Sequence, residues 1–179
     1  MAVSTYLQLT NKVLRQLNEV ELTSANFSTA GGVYASVRDG VNWSLNQINS
    51  LHFKWPFNFN EDQSQALTAG TELYSFPSGF SAVDWDSFYI VYSATTPVTN
   101  TIKLNYLDRK IYNKWYKEKD LDSLTTGLKV PSHVFSWYNK KFGITPSPNA
   151  AYTVKYNYWN VTTQLSAHGD STTVPTEWD

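Results

Sequence analysis

Two Asp-x-Asp pairs have the residue types and spacing that best fit chemistry: Asp84 with Asp86, and Asp120 with Asp122. Carboxylate oxygens are the ligands that hard cations prefer. Residues i and i+2 of a β-strand share a face, so the first pair would converge if it lay in a strand. A glycosidase also needs only two carboxylates, which almost any sequence supplies. Further oxygen ligands are not found nearby, so a charged, solvated surface is the alternative interpretation of both pairs.

The other residue types and motifs of the chain offer few candidates for catalysis. The chain has no cysteine, which excludes disulfides, thiolate zinc sites and cysteine nucleophiles. His52, His133 and His168 lie far apart in different segments, and there is no glycine-rich phosphate loop, nucleophile elbow or paired-histidine helix. We therefore predict no catalytic residues, no metal and no cofactor.

The charge distribution is more informative than the net charge of −1, which argues against a free-standing nucleic-acid binder. Residues 54–100 carry one lysine against five acidic residues, whereas residues 101–141 carry nine basic against four acidic residues. Two oppositely charged halves suit head-to-tail contacts between identical subunits, although two ordinary solvated surfaces would also account for them.

The sequence shows no leader segment and no apolar stretch near the ~20 residues of a membrane span. We therefore predict assembly in the cytoplasm and no membrane partner.

Helical periodicity dominates the first third of the chain. Ser4 and Thr5 are good caps, and the apolar spacing that follows predicts a helix over 4–19. A polar, glycine-containing loop precedes a second amphipathic helix, which should begin at Val33 and end before Pro56. Its polar side is predicted to carry six residues: Ser36, Arg38, Asp39, Asn42, Asn46 and Asn49.

The apolar stripes of these two helices exceed what a two-helix hairpin can cover. We therefore expect the pair to pack together and to need a sheet, later helices or a neighbouring subunit to cover the rest of the stripes.

After Pro56 the pattern changes to alternating β-type residues broken by Pro, Gly and Asn. Six strands are predicted, at 72–76, 86–92, 101–107, 133–138, 141–145 and 152–162, with Asn139 at a hairpin turn. Both faces of the last strand carry apolar bulk, which predicts a central or interfacial strand. Asp108 should cap a short helix over 109–119. The fold class is α+β, with a helical part at 1–57, a β domain at 58–174, and at 175–179 the start of a C-terminal helix that Thr176 caps.

Aromatic residues make up 16% of the chain, and such side chains dominate protein interfaces and also stack on sugars. Most belong in a core, but the rest leave two functions open: a protein assembly module, and a carbohydrate- or receptor-binding β module. In the second case Trp85 and Trp159 would be the residues that contact sugar.

The order of the segments favours assembly. It comprises Leu-Arg-Gln-Leu-Asn-Glu at 14–19, a helix closing in Leu-His-Phe-Lys-Trp-Pro-Phe-Asn at 51–58, Tyr-Ser-Phe-Pro-Ser-Gly-Phe at 74–80, Leu-Asp-Arg-Lys-Ile-Tyr at 107–112, Phe-Gly-Ile-Thr-Pro-Ser-Pro at 142–148, Val-Lys-Tyr-Asn-Tyr at 154–158, and Gly169-Asp170 before Val174-Pro175. Nearly the whole chain thus resembles the head-to-tail adaptor, or tail tubular A, proteins of short-tailed phages, especially those of cyanophage type.

The resemblance implies a small helical bundle with an inserted β domain, and a dodecameric ring between the portal protein and the tail nozzle protein. Double-stranded DNA would pass through the ring without sequence-specific binding, and the location would be the virion. Members of the family usually continue past the final proline with long helices, whereas this sequence ends at Asp179. Eight residues are the predicted interface candidates: Val41, Ile48, Trp55, Phe57, Arg109, Lys110, Trp115 and Tyr116.

Overall fold

The computed structural model describes residues 3–91, 100–117, 129–161 and 163–176. The chain forms helices and mostly antiparallel sheets, which confirms the predicted α+β class. It divides into two compact units. Unit 1 comprises residues 1–59 and 160–179, and unit 2 comprises residues 60–159.

Two helices form most of unit 1. Helix α1 is Tyr6–Gln16 and begins in a capping box: the Thr5 hydroxyl accepts from the amide of Gln8, and the Gln8 side chain accepts from the amide of Thr5 at 2.8 Å. Helix α2 is Val33–Leu51 and follows Gly32, whose φ of 60° favours glycine. Both predicted helices are confirmed, but α1 is shorter at both ends than 4–19. Ser4 and Thr5 belong to a strand, and Asn18 takes a left-handed φ of 56°.

A two-stranded antiparallel sheet completes unit 1. Strand β1, Val3–Thr5, pairs with β11, Ser171–Pro175, and Val3 lies opposite Pro175. Pro175, predicted as the first residue of a C-terminal helix, is therefore the last residue of a strand instead. Thr172 and Val174 alternate into the interior, each 3% exposed, and this alternation fixes the segment as a strand. The predicted helix residues 177–179 lie outside the described part of the chain.

The described residues of unit 2 form nine strands in two sheets, sheet B and sheet C; the two-stranded sheet of unit 1 is sheet A. The strands are β2 (Phe59–Leu67), β3 (Leu73–Ser75), β4 (Phe80–Val83), β5 (Tyr89–Val91), β6 (Thr101–Lys103), β7 (Asn105–Leu107), β8 (His133–Trp137), β9 (Lys141–Thr145) and β10 (Tyr152–Asn160). Sheet B has the order β2-β10-β5-β6, with β4 also paired to β10, and sheet C has the order β3-β9-β8-β7. Helix α3, Arg109–Trp115, follows β7 and begins at Asp108, whose carboxylate accepts from the amide of Lys110 as predicted for the cap.

One large apolar core joins the two sheets. Buried residues of β10 and β5 from sheet B, led by Tyr156 and Ile90, share it with Phe142 and Val134 of sheet C. Strand β10 lies between β2 and β5, which confirms that its two apolar faces mark a central strand. Side chains alternate along a strand, so the neighbours of these core residues face outward from the two-sheet sandwich.

The predicted strands 133–138 and 141–145 are joined at the turn through Asn139, where Asn139 and Lys140 have φ of 56° and 53°. The predicted strand 101–107 is in fact two strands, because the buried Leu104 interrupts it, and β6 joins sheet B whereas β7 joins sheet C. Residues 92–99, which follow β5, lie outside the described part.

Candidate assembly surfaces

An open apolar groove runs between α1 and α2 in unit 1. Its volume is about 510 Å³, and its walls include the predicted interface residues Val41 and Ile48, both half-buried. Trp43 also lines the groove and is 65% exposed. The other lining residues come from both helices and from β11: Leu9, Lys12, Val13, Gln16, Val37, Gly40, Ser44, Leu45 and Val174. Trp43 lies outside the predicted apolar stripe of α2, so helical periodicity did not predict it as a lining residue.

Asn42 fixes the elements that form this groove. Its side-chain amide donates to the hydroxyl of Tyr6 at 2.9 Å and to the carbonyl of Leu165 at 3.0 Å, and its oxygen accepts from the Leu165 amide at 2.9 Å. Only 8% of Asn42 is exposed, so its assignment to the solvent side of the helix is wrong. The reason is that the segment around Leu165, distant in sequence, covers this side of α2.

Arg38, predicted on the same polar side, is half-buried and joins α2 to the preceding loop. Its guanidinium donates to the carbonyls of Phe27 and Ala30 and lies 5.3 Å from the Phe27 ring centroid. Polar residues of α2 therefore organise the interior of unit 1.

Trp55 and Phe57, two further predicted interface residues, lie beyond the C-terminal end of α2. The indole N–H of Trp55 donates to the Ile48 carbonyl at 2.8 Å, and its ring stacks on Phe57 at 5.4 Å. Phe57 also packs against the core of unit 1. Both side chains therefore stabilise the end of the helix, and each is only half-exposed.

Helix α3 of unit 2 and Tyr138, which follows β8, form a basic, aromatic surface, here called the basic face. Its residues are Arg109, Lys110, Lys114, Trp115 and Tyr138. The Arg109 guanidinium lies 4.0 Å from the centroid of the Tyr138 ring, and the Lys114 ammonium lies 5.0 Å from the Trp115 ring. Trp115 is 61% and Tyr138 is 59% exposed. Cation–π contacts hold the charges over the rings while leaving them accessible.

The opposite side of α3 anchors it to sheet C. Tyr112 is buried and stacks on Phe135 of β8 with ring centroids 3.8 Å apart, and its hydroxyl donates to Glu72. The predicted interface residue Tyr116 is half-buried, packs against this cluster and lies 5.8 Å from His133. Tyr116 thus has a packing role, while Lys110 and Trp115 point to solvent.

Asp84 and Asp86 do not share a strand face, contrary to the expectation. They belong to a 3-10 turn at Trp85–Ser87, in which the Asp84 carboxylate accepts from the Asp86 amide at 3.2 Å. The local hydrogen bond competes with extended backbone, as Asp commonly does at turns. Trp85 stacks on Phe88 at 5.6 Å and packs against the core. The pair Asp120–Asp122 lies outside the described residues.

Asp84 and Asp86 contribute instead to an acidic surface beside sheet B, here called the acidic face: Glu61, Asp62, Asp84 and Asp86. The amide of Asp62 donates to the Asn157 side chain at 2.9 Å, and the amide of Asp84 donates to the Asn157 carbonyl at 3.0 Å. Glu61, Asp62 and Asp86 are exposed. These acids come from β2 and from the turn after β4, which both bond to Asn157, and the count of charges along the sequence could not reveal this.

Tyr89 of β5 contacts this face. Its hydroxyl donates to Asp62 at 2.7 Å. Desolvation by burial, then the hydrogen bond to Asp62 and the charges of Asp62 and Glu61, raise the pKa of Tyr89 to about 12. Lys155 lies 3.9 Å from Asp62 and partly offsets the acidic charge.

The histidines stay apart, each in a different setting. His52 packs edge-on to Trp55, His133 contacts the hydroxyl of Ser132 at 2.8 Å, and His168 lies edge-on to Phe27. Within the described ranges, no group of three or more His, Cys, Asp or Glu residues could hold a metal ion. In the same part of the chain, no helix is long and apolar enough to span a membrane.

An α+β chain whose open surfaces are an apolar groove and two oppositely charged faces has the features of an assembly protein, a class that works through contacts with other proteins. The model of the family described as SU10 adaptor protein matches residues 4–179, and the chain belongs to that family. It is thus a phage adaptor protein, and the predicted resemblance is confirmed. No match to a curated protein was found.

Proposed function

We propose that the protein is a subunit of a ring that joins the portal to the tail nozzle and encloses part of the channel for the genome. Family membership over residues 4–179 carries this proposal. The partners would be further copies of the chain, in a dodecamer, together with the portal protein, the nozzle protein and double-stranded DNA. The DNA would pass without sequence-specific contacts, and the subunit would act by geometry without a catalytic step.

The groove between α1 and α2 supports a role in assembly. Half-buried Val41 and Ile48 and exposed Trp43 line about 510 Å³ of mostly apolar space. Burying apolar surface of this kind against a partner is favourable by roughly 25 cal/mol per Å². We assign the groove to the contact with a neighbouring ring, as the uncovered stripes of the two helices indicate.

Electron microscopy of virions tests the ring. We expect a closed ring of this chain at the head-to-tail junction, identified by fitting the two units into density with imposed and unimposed symmetry. The virion is the required sample, because an isolated subunit can remain monomeric until a portal ring templates it. A two-fold dimer, or absence of the chain from the junction, would contradict the proposal.

A sugar-binding module is the second class of function left open by the sequence. Trp85, one of its two expected contact residues, is half-buried and lies 5.6 Å from Phe88 and 4.9 Å from Tyr106. These contacts occupy the surface of the Trp85 ring that a sugar would need.

We expect purified protein neither to bind nor to turn over peptidoglycan or capsular polysaccharide. Turnover that Asp84→Asn or Asp86→Asn abolishes would show an enzyme instead.

A further inference from the structure

The cations of α3 and the carboxylate of Asp62 lie on opposite sides of the two-sheet sandwich of unit 2. In β8, Val134 belongs to the core between the sheets, whereas the adjacent Phe135 faces the other way and stacks on Tyr112 of α3. Helix α3 therefore covers the outer side of sheet C and carries the basic face.

Sheet B shows the same alternation on the other side. Ile90 and Val154 enter the core, whereas Tyr89 and Lys155, which are register partners, face outward and both contact Asp62. The acidic face thus extends from Asp62, on the outer side of sheet B, to the turn of Asp84 and Asp86 beside Asn157 of the same sheet. Among the described residues, its four carboxylates outnumber the two lysines in register with Tyr89, Lys155 and Lys103.

The composition of the basic face fits a protein partner better than DNA. Among the described residues, two acids beside α3 are already engaged: Asp108 caps the helix, and Glu72 accepts from Tyr112. Exposed Trp and Tyr beside Arg are the residues that dominate protein interfaces. A duplex offers phosphates but no apolar pocket for Trp115, and the chain as a whole carries a net charge of −1.

We infer that the basic face of one subunit docks on the acidic face of a second copy, so that neighbours join head to tail through unit 2. This inference rests on the proposed ring and names the surfaces that build it. A contact between two different faces propagates from subunit to subunit and closes a ring when the rotation between neighbours allows it, whereas a two-fold contact pairs a face with itself. Opposite charges at the two faces set the orientation, because juxtaposed like charges cost several kcal/mol.

Charge reversal tests the docking on particles assembled from the full chain. The first variant is Lys110→Glu with Lys114→Glu, the second is Glu61→Lys with Asp86→Lys, and the third combines all four changes. We expect each two-residue variant to lower the amount of chain in particles by about tenfold or more, as 1.4 kcal/mol per contact already would. The combined variant should recover, because the two faces then attract again with reversed signs. Lys110→Arg with Lys114→Arg keeps the charge and should assemble like the parent chain.

Each remaining outcome has a distinct meaning. Rings of normal occupancy in both two-residue variants would overturn the inference while leaving the proposed ring intact. Loss in the first variant that the combined variant does not recover would overturn it in favour of a different acidic partner. Normal rings that retain less DNA in the first variant would show a DNA-binding face and also overturn it. A parent chain absent from the junction would remove the proposed function itself.

Discussion

At the scale of single residues, Asn42 connects three parts of unit 1 through one buried amide: α2, the Tyr6 hydroxyl of α1 and the backbone of Leu165. The Tyr6 hydroxyl in turn donates to the Arg38 carbonyl at 2.8 Å. A buried polar group costs free energy unless it is hydrogen-bonded, so this network is stable only while every member keeps its partner.

Replacing Asn42 by Leu should lower the free energy of unfolding by about 2–4 kcal/mol. The change leaves both the N–H and the carbonyl of Leu165 without their side-chain partner, at roughly 1–3 kcal/mol per buried group. Urea denaturation monitored by tryptophan fluorescence measures the effect. Asn46→Leu, one turn further along α2 at an exposed position, is the control and should change stability by less than about 0.5 kcal/mol. Equal effects of the two substitutions would show that the network contributes nothing.

Gly143 shows a second constraint at the residue scale. It lies opposite Phe135 in the β8–β9 register, and a Cβ added to it would overlap the Phe135 ring. That ring is held between Gly143 and the stacked Tyr112, so it has no room to move. Glycine is required here by the close approach of the ring and not by its backbone angles.

We expect Gly143→Ala to destabilise unit 2 by about 2–3 kcal/mol or more, as overpacking of a well-packed core does. Gly169→Ala provides the comparison, because a Cβ there meets no atom within 4 Å. Thermal unfolding of both variants measures the difference. A stability of Gly143→Ala equal to that of Gly169→Ala would mean that the ring moves aside freely.

At the scale of elements, the sequence predicted strands in which apolar and polar residues alternate. It did not predict strands that form only by pairing with distant segments of the chain. The prediction for β9 matched residue by residue, because Phe142 and Ile144 alternate beside a clear turn. Strands β1 and β11 were missed, since each is short and is formed by pairing with the other end of the chain. The same limit applies to the candidate sites: Val41 and Ile48 follow from the helical period, whereas the acidic face depends on strand neighbours far apart in sequence.

The groove between α1 and α2 gives the element-scale prediction. Val41→Asp with Ile48→Asp places two charges on its apolar wall and should prevent assembly into particles. Both residues are half-buried, so the variant can also lose stability, and circular dichroism must accompany the assembly assay. Trp43→Ala is the sharper test, because Trp43 is 65% exposed and its removal should leave the fold stable while lowering particle yield. Unchanged yield in the folded Trp43→Ala variant would exclude the groove from the contact.

At the scale of the whole molecule, the even balance of charge hides two surfaces of opposite sign. The sum over the chain is −1, yet in unit 2 the basic face lies outside sheet C, whereas Asp62 of the acidic face lies outside sheet B. This separation follows from the topology: the acidic strands and turn come before residue 91, the basic helix follows β7, and the two sheets place them apart. A subunit that joins its neighbours head to tail needs two unlike surfaces that complement each other.

Cysteine cross-linking can read out this arrangement directly, because the natural chain contains no cysteine. Lys110→Cys places one thiol on the basic face and Asp86→Cys places one on the acidic face, both at exposed positions. A chain with both cysteines, treated in assembled particles with a short bis-maleimide, should give a ladder of covalent multimers. Each subunit can then bond to two neighbours, so the series continues until the ring closes.

Either single variant should stay monomeric under the same treatment, since head-to-tail docking never brings a face against itself. Dimers from a single-cysteine variant would instead reveal a two-fold contact. An equal mixture of the two single variants provides the final check: it should stop at dimers, because each chain then offers only one reactive face.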